Sequence, residues 1–348
     1  MEGMKGAVTD GKGNVRIERI PKPVPGQYEC LCRIEACASC TGTDLKIISG
    51  QMSWATPDRY PAVLGHESVG RVISVGEKVR NIKAGDRFLR PAAWYPGEYR
   101  EGIFSMMGGF AEFGVVTDTA ALLEDHPEMQ LNSYMKFQQP LPGEEEISSV
   151  DAPMLVTLKE VYSYIAGLGI SSNHTVAVMG AGAVAMGMCF FAKLAGATVI
   201  AAARREESLL LCYKAGADFL IHTEKEDLAS ALKKIAPGGV DFLLDGAGSS
   251  ELLVKGSSAL KDQGAICSYA SGMNSGDLWN RITPPGSWKY IRQILHEDKV
   301  HEHFLSLIRM KVLPYSLFYS HVMKLSSVEE GFELLRNKKG SKIVFTMD

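Results

Sequence analysis

The sequence predicts an α/β protein in which a doubly wound parallel sheet is inserted into a mostly β remainder. Three observations carry that expectation. From about residue 172, apolar runs of strand length alternate with helical patterns, whereas the first 150 residues read as short strands between turns. The chain then closes on another strand-like run, KIVFTM at 342–347. The length allows it, since 348 residues at 46% hydrophobic and 22% charged are ample for two globular domains.

Taken in order, YECLCRIEA at 28–36 alternates, with Cys30, Cys32, Ile34 and Ala36 on one face. SVGRVISVG at 68–76 and GFAEFGVV at 109–116 have the same texture. Residues 90–110 are rich in aromatics and arginine. Arg90, Trp94 and Tyr95 there read as a surface loop with a small aromatic core, the alternative being a wall of the substrate cleft. The alternation proper begins with TVAVMGAG at 175–182 and a helix through Lys193. ATVIAAA at 197–203 follows, then a helix over Glu206–Ala215 and ADFLIH at 217–222. VDFLLDGAG at 240–248, a helix near Glu251–Leu260 and GAICSYAS at 264–271 complete it. His301 and His303 sit in a charged helical stretch and are expected to be solvated. Ser326-Ser327-Val328-Glu329 is a capping-box pattern that starts a helix burying Phe332 and Leu335.

Composition narrows the partners. A net charge of -3 offers no basic field for nucleic acid or anionic lipid, so a small molecule is expected. Glycine, at 35 residues, exceeds its usual share of about 7%. Seven cysteines, sparse and odd in number, suit a reducing compartment, and the N-terminus has no apolar signal region, so cytoplasm is expected. The uncharged stretch Thr175–Ala192 just reaches the roughly 18 residues of a spanning helix, but its glycines and strand-then-turn pattern argue against one.

The apolar run Val176–Met179 leads directly into Gly180-Ala181-Gly182-Ala183-Val184-Ala185 and then into helix formers. This is the strand, glycine turn and helix that a Rossmann dinucleotide fingerprint requires. Gly180 permits the tight turn, Gly182 lets the backbone approach a pyrophosphate, and the Ala183 and Val184 amides would donate to it. Ala185 stands in for the third glycine. An NAD site usually carries an acid at the end of the second strand, about 20 residues beyond the fingerprint. Here the strand ends in Arg204-Arg205, so the site is expected to prefer NADP over NAD; the alternative is a solvated pair facing Glu206 and Glu207.

Cys37-Ala38-Ser39-Cys40-Thr41-Gly42-Thr43-Asp44 is followed by Gly65-His66-Glu67-Ser68-Val69-Gly70. Thiolate, imidazole and carboxylate from separate loops suit zinc with a position left open. On these residues, on the glycine fingerprint and on the ending SHVMKLSSVEEGFELLRNKKGSKIVF, the chain resembles the zinc-dependent alcohol dehydrogenases of the medium-chain dehydrogenase/reductase family, polyol dehydrogenases among them. The resemblance covers nearly the whole chain. It implies a mostly β catalytic domain resembling a GroES-like barrel over 1–151, a Rossmann domain over 152–293 and a return to the catalytic domain over 294–348.

The resemblance further implies Cys40 and His66 as zinc ligands, with Glu67 a ligand or close by and Asp44 holding the His66 ring. Thr43 would pass the alcohol proton. Lys342 matches a basic position that reaches the cofactor phosphates in relatives, its plain alternative being a solvated lysine. The implied reaction moves a hydride between NADP(H) and a secondary alcohol, polyol or sugar derivative. A homodimer or homotetramer is implied too. Against the family pattern, Thr41 is an extra residue after Cys40; a bulge is the better reading, because a thiolate binds zinc better than a hydroxyl. The usual third-ligand place holds Ala152, so either Asp151 substitutes through a small shift or Glu67 and water complete the shell. Lys46 stands where many relatives have a relay histidine, and no cysteine in 90–110 provides a structural zinc. Cys37 is then a buried neighbour of Cys40 rather than its redox partner. The competing functions are a zinc-free NADPH-dependent reductase of quinones or alkenes and a non-catalytic NADPH sensor.

Overall fold

The structure is a computed structural model that describes residues 3–269, 276–292 and 294–348. Ala270 and Ser271, the end of the strand expected at 264–271, and Gln293, the expected end of the Rossmann domain, lie outside the described residues. Along the chain come β1 (Gly3–Thr9), β2 (Val15–Pro21), β3 (Glu29–Ala38), α1 (Asp44–Ile48), β4 (Ala62–Val63), β5 (Glu67–Val75), β6 (Arg87–Leu89), β7 (Tyr99–Arg100), β8 (Ile103–Ser105) and β9 (Phe113–Thr117). Next are α2 (Thr119–Asp125), α3 (Ser133–Phe137), β10 (Pro140–Leu141), α4 (Met154–Gly167), β11 (Thr175–Met179), α5 (Ala183–Leu194), β12 (Thr198–Ala203), α6 (Glu206–Lys214), β13 (Phe219–His222), α7 (Leu228–Ile235) and β14 (Val240–Asp245). The chain finishes with α8 (Ser250–Ser257), β15 (Leu260–Ser268), α9 (Gly276–Arg281), β16 (Lys289–Arg292), α10 (His301–Arg309), β17 (His321–Lys324), α11 (Val328–Arg336) and β18 (Ile343–Thr346). Two compact units result: Met1–Val156 with His301–Asp348, and Thr157–Val300.

In the first unit β3 is the organising strand. The expected alternation buries Cys30, Cys32, Ile34 and Ala36 to 1% exposure or less. β3 pairs antiparallel with β5, β9 and β18. Register does the positioning. Ala38 lies opposite Glu67 on β5 and opposite Val344 on β18, so the segments after residue 38, before residue 67 and before residue 344 meet at one end of the sheet. Beneath them Phe110, Phe332 and Phe345 pack with Ile47, Ile48, Leu325 and Leu335. Each such side chain contributes roughly 1.5–3 kcal/mol by leaving water, and Ile47 and Ile48 thereby pin α1 close behind Cys40. Gly65 is the hinge into the site, with a φ of +96° and Phe110 so close that a Cβ would meet its backbone nitrogen at 2.5 Å.

Two local expectations are corrected here. α11 buries Phe332 and Leu335 as its pattern requires, but no capping box forms, because the Ser326 hydroxyl donates to Asp348 at 2.7 Å and the N-cap Ser327 makes no side-chain cap bond. His301 is 6% exposed and not solvated, because it falls on the inward face of α10 with Phe304 and Ile308.

The second unit is a six-stranded, wholly parallel sheet in the order β13-β12-β11-β14-β15-β16. The order reverses beside β11, which opens a crevice at the carboxyl ends of β11 and β14. Ala177, Met179, Ile200, Ala202, Ile221, Leu243 and Ile266 form part of its core. The uncharged stretch Thr175–Ala192 resolves into β11, the glycine turn and most of α5, and among the described residues no helix is long and apolar enough to cross a membrane.

Candidate functional site

In the first unit, Cys40 Sγ, a ring nitrogen of His66 and a carboxylate oxygen of Glu67 all lie within 4.8 Å of one another. Each is delivered by the sheet register described above. Cys40 follows β3 directly and starts a turn in which the Thr43 and Asp44 amides both donate to its carbonyl, at 3.1 and 2.7 Å. That turn absorbs the extra residue, leaving Thr41 exposed and Cys40 half-buried. The Asp44 carboxylate, wholly buried, accepts from the Cys40 amide at 2.8 Å with one oxygen and faces His66 Nδ1 at 3.6 Å with the other. His66 Nε2 is thereby left on the Glu67 side, 3.8 Å from Oε1. Thr43 Oγ1 lies 3.6 Å from Cys40 Sγ.

The pocket calls for positive charge. Burial opposes the charged imidazole, yet Asp44 and Cys40 together hold the His66 pKa well above histidine's ordinary value. Lys342, delivered by β18 and only 4% exposed, makes a very short ion pair with Glu67 Oε2. Burial works against its ammonium too, but Glu67, Cys40 and Asp44 outweigh that and raise its pKa. With Cys40 ionised and His66 neutral, as metal ligands must be, Cys40, Asp44 and Glu67 would carry three negative charges against one on Lys342, which a dication would balance. One further contact had no signal in the sequence. Arg90 braces the site by donating to the His66 carbonyl at 3.2 Å, from a left-handed backbone with φ of 59°.

Several sequence expectations are not brought to this group. Asp151 stands apart, its carboxylate accepting from Ser148 at 2.7 Å and Tyr319 at 3.1 Å, while the neighbouring Ala152 is wholly buried. Lys342 lies on Glu67, so the structure gives it neither a solvated place nor a free ammonium for cofactor phosphates. Lys46 is exposed on α1. Trp94 and Tyr95 are 3% and 5% exposed, Trp94 donating to the Glu98 carbonyl and Tyr95 bonding Thr117 and Gln138, so they are core. Cys37 is wholly buried in the phenylalanine core, which pushes its thiol well up.

In the second unit Gly180 adopts φ of +113° where β11 ends, and a Cβ there would lie 2.8 Å from that of Ala247. Gly182 caps α5 with nothing within 4 Å of where a Cβ would be, so the backbone is approachable. Ala183 and Val184 are the first residues of α5, whose leading amides have no partner within the helix. Ala185 is wholly buried and so close to Gly246 that a Cβ on that glycine would lie 2.8 Å from its own, which is why a small residue is required there. Arg204 and Arg205 follow β12 on the exposed surface, Arg205 capping α6.

Comparison with known proteins decides the family. Residues 26–125 match the alcohol dehydrogenase GroES-like domain and residues 183–285 match the zinc-binding dehydrogenase domain, together more than half of the chain. The chain belongs to the zinc-dependent alcohol dehydrogenases of the medium-chain family. It is therefore an oxidoreductase, and the family implies zinc, a nicotinamide cofactor and a small-molecule substrate. L-Threonine 3-dehydrogenase of Pyrococcus furiosus is 28% identical over 337 residues, covering 94% of this chain and 93% of that protein. NADP-dependent isopropanol dehydrogenase of Thermoanaerobacter brockii is 24% identical, covering 96% of each. The fold is that of solved family structures such as 2R,3R-butanediol dehydrogenase of Bacillus subtilis, with a TM-score of 0.78 at 22% identity over 99% of this chain and 100% of that one.

Proposed function

We propose that this dehydrogenase carries one catalytic zinc on Cys40, His66 and Glu67 and uses NADP(H) to interconvert a secondary alcohol, polyol or sugar derivative with its carbonyl form. The observation that carries the reading is the convergence of those three donors within 4.8 Å, in a pocket whose acids lack one dication. Three protein ligands leave a position open for the reacting oxygen, as catalytic rather than structural zinc requires. When bound, the metal would polarise that oxygen and the nicotinamide would exchange the hydride. The chain's own residues do the rest. Asp44 orients His66 and the Cys40 loop, Lys342 compensates Glu67, and Thr43 would hold the alcohol proton beside Cys40.

Small secondary alcohols fit the substrate names of the threonine, isopropanol and butanediol dehydrogenases to which the chain is similar. The NADP preference is supported by the end of β12. Glu206 is bound to Lys225 at 2.7 Å, so it does not neutralise Arg204 or Arg205, and neither guanidinium is paired among the described residues. Gly180, Gly182, Ala183 and Val184 would receive the pyrophosphate, with Ala185 allowing the close helix packing. We take 1–151 and 294–348 as the catalytic domain and 152–293 as the cofactor domain. Seven unpaired cysteines support a reducing, cytoplasmic setting. A homodimer or homotetramer is supported by β16, an edge strand whose Tyr290 packs on Trp279 of α9, the two being 36% and 37% exposed.

Elemental analysis of protein purified without a metal-affinity tag tests the reading. About one zinc per chain, with activity on secondary alcohols and NADP, is expected. Full cofactor binding and turnover of quinones or alkenes without zinc would replace it with the metal-free reductase.

A further inference from the structure

The loop after β14 packs against every part of the glycine turn. Met179, the last residue of β11, is in register with Asp245, the last of β14, and its carbonyl accepts from the Gly246 amide at 2.9 Å. Ala247 lies so close to Gly180 that a Cβ on the glycine would be 3.1 Å from the Ala247 nitrogen. Gly246 meets the first turn of α5 in the same way, since a Cβ there would fall 3.0 Å from the Cα of Ala185. Strand end, turn and helix start all lean on residues 246–247. In a close-packed interior, a shift of that loop is passed on to the amides of Ala183 and Val184.

Asp245 sets the shape of the loop. Its carboxylate is wholly buried, and Oδ1 accepts from the Ala247, Gly248 and Ser249 amides at 3.1, 2.7 and 3.2 Å. Three successive amides converge on one oxygen because the chain curls around it, with Gly248 at φ of +67°. Such a curl of backbone amides is a concavity for an anion, and the anion held here is the chain's own carboxylate. The other oxygen, Oδ2, is covered and has no hydrogen-bond partner. All the hydrogen bonds of this buried acid thus go to the one loop that moulds the glycine turn.

We propose that Asp245 is a positioning residue for the cofactor: by holding residues 246–249 in their curl, it fixes the glycine turn in the shape that receives a pyrophosphate. This rests on the dinucleotide reading of that turn. Asp245 is wholly buried and so acts on the ligand only through the direction of the turn's amides, on which the strength of their bonds to phosphate depends. The consequence is selective. NADP and NAD share the pyrophosphate and depend on Asp245 equally. Adenosine, which lacks it, belongs at the end of β12, on the opposite side of β11 from Asp245, and does not.

The experiment is calorimetric titration of the full chain with NADP and NAD, and ligand-observed NMR with adenosine, for wild type, Asp245→Ala, Asp245→Asn and Gly248→Ala. Asp245→Ala is expected to raise the NADP and NAD dissociation constants by the same factor, about tenfold, and to leave that of adenosine within about twofold. Asp245→Asn keeps an acceptor at Oδ1 and should stay within about threefold of wild type. Gly248→Ala strains the curl while leaving Asp245 in place. It should repeat the alanine pattern more weakly, and it tests the loop if Asp245→Ala does not fold. The inference is overturned if Asp245→Ala binds both dinucleotides as wild type does, or if it loses adenosine in the same proportion, which would mark a general loosening of the sheet. It is overturned equally if Asp245→Asn is as weak as the alanine variant. Failure of the dinucleotide reading looks different: wild type itself would bind neither NADP nor NAD, and Gly180→Ala would change nothing.

Discussion

The metal pocket and the glycine turn are built in opposite ways. Gly180 to Ala185 is contiguous, and its geometry follows from a strand that ends, a residue with φ of +113° and a helix that begins at once. The metal pocket is assembled from the ends of separate strands, and Glu67 and Lys342 are 275 residues apart in the chain. Local chemistry therefore specifies the turn, while pairing register specifies the pocket. The turn is apolar and open, awaiting backbone contact with a phosphate, whereas the pocket is buried and crowded with charge.

That contrast can be broken or sharpened by substitution. Cys40→Ser should do the most, abolishing zinc binding and lowering kcat/KM by about 10⁴-fold, or about 5.5 kcal/mol, while NADP binding persists. If steady-state kinetics found activity within tenfold of wild type, the pocket would not be the reacting centre. Lys342→Met leaves the Glu67 carboxylate buried without its ammonium and should cost about 3 kcal/mol of stability in urea, less when zinc is added. An unchanged midpoint in metal-free protein would show that the ion pair is dispensable.

On the cofactor side, Gly180→Ala forces a Cβ onto Ala247 at a left-handed position. It should weaken cofactor binding by about 2 kcal/mol, or roughly 30-fold, with zinc content unaffected. Loss of zinc in that variant would mean that the two sites are not independent. Arg204→Ala is expected to raise the NADP dissociation constant about tenfold and leave that for NAD alone. Asp151→Asn should have the smallest effect, under about twofold on zinc content, because its oxygens are occupied by Ser148 and Tyr319. A zinc-free Asp151→Asn protein would restore that residue as a ligand.

Much was legible in advance because it is local. Alternation on β3 announced its buried face, and the β11 turn announced a dinucleotide. Cys40, His66 and Glu67 were legible as ligand types. Asp151 misled because a carboxylate adjacent in sequence to the expected ligand place is turned toward Tyr319 by the fold. Lys342 misled because nothing within the 340–348 segment indicates that β18 pairs with β3 and carries the lysine to Glu67. β16 had no signal, being a short run, Lys289–Arg292, with three of its four side chains exposed. Ser326 looked like a cap until the chain terminus supplied Asp348 as a competing acceptor.

The sequence by itself determined the strand and helix succession, the glycine turn and the chemical identity of the candidate metal donors, because side-chain periodicity and turn preferences act over a few residues. Only the tertiary structure decided that Lys342 neutralises Glu67, that Arg90 braces His66 and that Asp151 stands aside. Those outcomes depend on strand register, in which a shift of one residue sends every side chain to the other face.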